Sequence, residues 1–126
     1  MSAAFSETEI ETSFEQGTAL YEKEDYYSAK DIFEKLVALE PKNSNFHHWL
    51  GKCYGRIAET VSWLKAISMA KKTRKEFEKA VELDEKNYNA LEDLMQYYLE
   101  APGFLGGSKK KANEIEKRLN QIGNNI

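Results

Sequence analysis

Apolar residues recur along this chain at helical spacing, three and four positions apart, and the alternation expected of a strand occurs nowhere. The pattern predicts six helices. The first covers about residues 7–23, with Ser6 as its cap, Glu7, Glu9 and Glu11 near its positive end, and Ile10, Phe14, Gly17, Leu20 and Tyr21 on one side. After a turn at Glu24 and Asp25, the second runs from Tyr26 to Leu39 and buries Ala29, Phe33, Leu36 and Val37 before Pro41 ends it. Asn43 or Ser44 caps the third, whose stripe is Phe46, Leu50, Cys53, Tyr54 and Ile57. The fourth, about 61–83, is the longest and carries Trp63, Ile67, Ala70, Phe77, Ala80 and Val81. A fifth starts near Asn87 with Ala90, Leu91, Leu94 and Tyr98. The pattern then breaks at Ala101–Gly107 and resumes from Ser108 to Gly123 with Ala112, Ile115 and Leu119. The fold class expected is all-α, three antiparallel helix pairs.

Part of this pattern is written twice. Residues 33–43 read FEKLVALEPKN and residues 77–87 read FEKAVELDEKN, with seven of eleven positions identical. Self-similarity at a fixed offset is the mark of a repeat architecture. The offset from Phe33 to Phe77 is 44 residues, yet Gly17 and Gly51 are only 34 apart. Gly17 precedes Phe33 by 16 positions and Gly51 precedes Phe77 by 26, so the second pair holds ten additional residues, around Arg56–Lys72. Shared between two helices at 1.5 Å per residue, ten residues lengthen the pair by about 7 Å. A hairpin projecting beyond its neighbours is expected. Glu85 stands where the first copy has Pro41, which weakens the stop signal there.

Composition narrows the function classes. With 126 residues, 31% charged and 41% hydrophobic, the chain fits one domain with a real core. Its net charge of −3 gives no reason to expect nucleic acid. The charge is uneven: residues 1–40 hold ten acids against three lysines. Cys53 is the sole cysteine, so no intramolecular disulfide forms, and its helical position reads as a buried, inert thiol. No apolar run approaches a membrane span, and the start MSAAFSETEIE has neither the basic nor the apolar part of a signal peptide. The compartment stays open between cytoplasmic and, for a trimmed exported protein, periplasmic.

The spacing of small and aromatic residues resembles the tetratricopeptide repeat. Gly17, Tyr21, Tyr26, Ala29, Phe33, Leu39 and Pro41 fit the first repeat, about 10–43. Leu50, Gly51, Tyr54, Phe77, Ala80 and Leu83 fit the second, about 44–87. Leu94, Tyr98, Ala112 and Leu119 fit a third, weaker one, about 88–122. The long second repeat, followed by APGFLGG, is similar to a subgroup that includes bacterial repeat proteins and the regulator of microtubule dynamics group. The resemblance implies one domain over 1–126 and a binding role, and implies no reaction.

In such repeats the first helix of each pair lines a concave groove. That mapping nominates Phe14, Thr18 and Tyr21, then Asn45, His48, Trp49, Lys52 and Arg56, then Asn89, Glu92 and Gln96. Trp and Arg dominate binding hot spots, and Lys52 and Arg56, one turn apart, suit an acidic group. Against this stands a plain reading in which Trp49 packs on a neighbouring helix and the cations are solvated. The lysine and asparagine that clamp chaperone tails in this family are replaced by Phe14 and Thr18, so chaperone binding is not expected. His47 and His48 point about 100° apart on a helix and lack a third ligand, so no metal is expected. The stretch Gly103–Ser108 before Lys109, Lys110 and Lys111 lacks a preceding strand and the glycine-to-lysine spacing of a nucleotide loop. It reads as a turn with Phe104 and Leu105 tucked against the last pair. No nucleophile–base pair or isolated acid supports catalysis or a cofactor. The expected function is a non-catalytic protein–protein interaction module. Its rivals are a self-assembly module joined through open stack ends, and a lipid or small-molecule pocket under the long hairpin walled by Trp63 and Phe104.

Overall fold

The structure is a computed structural model that describes residues 5–124; residues 1–4 and 125–126, the outermost positions of the expected 1–126 domain, lie outside the described residues. Among the described residues there are six α-helices and no strand. They are α1 (Glu7–Glu22), α2 (Tyr26–Leu39), α3 (Ser44–Ala58), α4 (Trp63–Leu83), α5 (Tyr88–Glu100) and α6 (Lys109–Asn124). Each packs on its sequence neighbours, giving three antiparallel pairs in an up–down series.

The caps explain the boundaries. Ser6 Oγ accepts from Glu9 N, Asp25 from Ser28 N, Asn43 from Phe46 N, Asn87 from Ala90 N and Ser108 from Lys111 N. The weaker stop anticipated at Glu85 has no effect on helix length. Asp84 Oδ1 accepts from Lys86 N and its carbonyl from Asn87 N, so a polar turn ends α4 at Leu83, the same six positions past Phe77 as Leu39 is past Phe33.

Two apolar blocks form the core. One gathers Ala29, Phe33, Leu36, Phe46, Leu50, Cys53 and Tyr54. The other gathers Phe77, Ala80, Val81, Ala90, Leu91, Leu94 and Tyr98 with Ala112, Ile115 and Leu119 from α6. Both glycines of the repeat sit where a helix meets the facing phenylalanine. A Cβ on Gly17 would stand 2.8 Å from Phe33 Cζ, and one on Gly51 would stand 2.6 Å from Phe77 Cδ1. Only a hydrogen fits either gap.

The ten additional residues are distributed differently from the even sharing expected. Measured from the paired glycines and phenylalanines, two extend α3, one lengthens the turn and seven extend the start of α4. Gly51 faces Phe77 and Gly55 faces Thr73, so the end of α3 at Ala58 stands level with Ala70, and α4 begins seven residues earlier. One helix overhangs, by about 10 Å, rather than two growing together by less. The reason is local: α3 closes in a turn where Glu59 N and Thr60 N donate to the Arg56 and Ile57 carbonyls, and the residues after Ser62 form an unbroken helical run with neither Gly nor Pro.

Candidate functional site

A groove runs along α3 between α1 and α5. Two adjoining cavities make it, of about 300 and 340 Å³, and they share Lys52 and Asp93. The first is lined by Tyr21, Lys52, Arg56 and Gln96 together with Asp93, Tyr97 and Glu100. The second is lined by Asn45, His48, Trp49, Lys52 and Asn89 with Phe14, Glu92 and Asp93. Of the eleven nominated groove residues, ten line this furrow, and Thr18 lines neither cavity.

Their chemistry is more constrained than their positions. Trp49 is half-buried: it stacks on Phe33 with centroids 5.7 Å apart and meets Tyr21 edge-on at 5.4 Å. Lys52 lies over its outer face, Nζ 4.0 Å from the Trp49 ring and 5.0 Å from that of Tyr21. The aromatic packing and the cation of the two opposed readings are thus parts of one arrangement. Arg56 donates from Nε and Nη2 to Tyr26 Oη at 3.0 and 2.8 Å and pairs with Glu59 at 3.4 Å, contacts that raise its already high pKa. Burial, partly offset by Arg56, pushes the Tyr21 phenol up to about 12, so it stays a hydrogen-bond donor at neutral pH.

His48 and His47, adjacent in sequence, serve different joints. His48 is buried, and its Nε2–H donates to Asp93 Oδ2 at 2.6 Å, tying α3 to α5 across the groove floor. His47 has an acceptor at each ring nitrogen: Glu76 Oε2 at 2.6 Å from Nδ1 and the Pro41 carbonyl at 2.7 Å from Nε2. At the groove's other end Asn87 Nδ2 donates to Ser44 Oγ and Asn45 Oδ1, so the Asn45 carbonyl is already engaged.

Asp93 is the central groove residue that sequence reasoning missed, along with Glu59, Tyr97 and Glu100. Among the positions nominated on α5, Asn89, Glu92 and Gln96, the acid was Glu92, which lines only the second cavity, whereas Asp93 lines both. Spacing carried the signal: Asn89, Asp93, Gln96 and Glu100 recur at four, three and four residues, one face of α5. With Asp93, Glu100 and Glu59 beside Lys52 and Arg56, the groove carries both signs of charge.

Cys53 lies beneath the groove floor, fully buried, and burial pushes its thiol up to about 12, which leaves it protonated. Two expectations about the loops need correction. Leu105 is buried and its carbonyl accepts from Tyr97 Oη at 2.6 Å, but Phe104 is 68% exposed. A 3-10 turn over Gly103–Leu105, closed by Gly106 at φ +93, turns the two side chains to opposite sides. Trp63 is 72% exposed, because α3 ends before it can cover the start of α4. A cavity of about 340 Å³ does lie beside the long helix, lined by Tyr27, Lys30, Tyr54, Ile57, Lys65 and Lys72 among others, and neither Trp63 nor Phe104 forms its wall.

Fold and groove define the class: an all-α protein of stacked antiparallel helix pairs with a groove along the first helix of each. The chain belongs to the family described as regulator of microtubule dynamics protein 1-3, whose model matches residues 3–98. The matched span takes in α1–α4 and α5 as far as Tyr98, and it stops before the Pro102–Ser108 turn and α6. Comparison with curated protein sequences gives no match. None of the described helices is long and apolar enough to cross a membrane.

Proposed function

We propose that this chain is a non-catalytic, tetratricopeptide-like binding module that holds a segment of a protein partner in the groove along α1, α3 and α5. The observation that carries the reading is the convergence of Tyr21, Trp49, Lys52, Arg56 and Asp93 on two cavities that meet at Lys52 and Asp93. An aromatic floor with fixed charges of both signs suits an extended segment that presents an acidic group to Lys52 and Arg56 and a basic or amide group to Asp93 and Glu100. Tyr21 and Trp49 supply area at low entropic cost, since packing already fixes their rings. A family named for regulation of microtubule dynamics accords with a role exercised through protein contacts. The long second repeat and the APGFLGG turn accord with the tetratricopeptide subgroup described above.

Panning a displayed library of random peptides tests this reading. Enriched peptides are expected to bind the wild type and to lose about tenfold or more in affinity to Lys52→Glu, a charge reversal where the two cavities meet that gives up only part-exposed cation–π contacts and leaves melting nearly unchanged. Equal affinity for both proteins rejects the groove as the site.

A further inference from the structure

The three turns that join α1 to α2, α3 to α4 and α5 to α6 lie at one end of the molecule, as the up–down order requires. Their surfaces differ. The first turn is acidic, with Glu22, Glu24 and Asp25 against Lys23. The second opens a stretch, Val61–Lys75, that holds five cations and no acid in a chain whose net charge is −3. At its tip Trp63 and Leu64, consecutive residues of the first turn of α4, are 72% and 74% exposed. The third turn also carries an exposed Phe104 and Lys109, Lys110 and Lys111, but its Gly106 lies against Arg74, about 16 Å behind Trp63 along α4.

Single exposed apolar residues need no explanation. Two adjacent ones on a helix start, bared by an overhang and followed by lysines, form a surface with one apolar and one cationic layer. Leu64 and Lys71 are seven residues apart and share a helix face, with Lys65 and Lys72 beside them. The lysine heads thus lie one to two turns behind the apolar tip, about 10 Å, a distance flexible stems can shorten. The overhang also lifts the tip about 10 Å clear of the acidic first turn, one Debye length at 0.1 M salt. Of the acids nearest the tip, Glu59 is paired with Arg56 and Glu100 accepts from Gln96.

We infer that this end of the molecule docks on an anionic lipid bilayer. Trp63 and Leu64 enter the headgroup region, where an indole is favoured, while Lys65, Lys71 and Lys72 face the lipid anions. The short apolar tip makes this surface adsorption and not spanning. A second copy meeting tip to tip is the poorer occupant, because it would gather both copies' lysines at one contact, whereas lipid anions neutralise them. Nucleic acid would engage the lysines but leave Trp63 and Leu64 in water.

Co-sedimentation with vesicles tests the inference. The wild type is expected to pellet with phosphatidylcholine–phosphatidylserine vesicles at low salt, to release at high salt, and to stay in solution with phosphatidylcholine alone. Trp63→Ala with Leu64→Ala, and separately Lys71→Glu with Lys72→Glu, should each weaken binding about tenfold or more with melting unchanged. Both pairs are exposed, and the one contact they give up, Lys72 Nζ over the Tyr54 ring at 5.5 Å, is a surface cation–π pair that leaves the fold in place. Equal pelleting with neutral vesicles, no pelleting, or pelleting unaffected by either pair overturns the proposal. So does a concentration-dependent dimer abolished by the tip variant, or retention on duplex DNA without retention on vesicles.

Discussion

The first and second helix pairs use the same joint and differ beyond it. Gly17 meets Phe33 in one and Gly51 meets Phe77 in the other, and each second helix ends six residues further on. The polar pins repeat as well. Tyr54 donates to Glu34 and Tyr98 to Glu78, each glutamate following the shared phenylalanine and each tyrosine reaching back from the next pair. Burial, reinforced by the carboxylate that accepts its hydrogen bond, raises both phenols. Upstream of the joint α2 has seven residues before its phenylalanine and α4 has fourteen. The copied segment encodes how pairs stack, whereas the additional turns of α4 only partly serve the core. Their outer face is left for other uses.

The largest expected effect comes from breaking the joint itself. Gly51→Leu should cost about 3 kcal/mol in a urea titration, by overpacking against the root of the Phe77 ring. Gly17→Leu meets the tip of Phe33, a fully buried ring stacked on Trp49, and should cost a similar amount. Clearly unequal losses would mean that the two joints do not yield in the same way. A smaller effect tests the pins. Tyr54→Phe and Tyr98→Phe should each lose about 1 kcal/mol, and by similar amounts if the two contacts are equivalent. Separate from these, and visible only in alkali, is a pH effect from the first block. The Cys53 thiol, raised from 9.0 to about 12, adds stability that is fully present below pH 9 and lost as pH climbs toward 12. Cys53→Ala should therefore show a shallower fall in stability above pH 9 than the wild type, measured in parallel denaturant titrations.

Much of this was legible in the sequence because it rests on local chemistry. Ser6, Asn43, Asn87 and Ser108 announce helix starts by their side chains, and the apolar stripes announce buried faces. The groove positions followed from placing Tyr21, Trp49 and Lys52 on the first helix of each pair. Contacts between pairs were not legible. Nothing near His48 in sequence indicates that its partner is Asp93, 45 residues away, or that His47 reaches Glu76. The division of the ten residues was hidden for the same reason. Helical periodicity runs through both α3 and α4 and does not say where one stops. Phe104 and Trp63 look like core residues by type, and only the 3-10 turn and the early end of α3 leave them bare.

Hydrogen exchange along α4 tests the central comparison most directly. If the joint shared with the first pair holds α4 and the overhang is carried by it, amides from Thr73 to Leu83 should exchange as slowly as those of α2, and those of Ile67–Met69 about a hundredfold faster. Uniform protection from Ile67 to Leu83 would contradict this account, since the additional turns would then belong to the same cooperative unit as the joint.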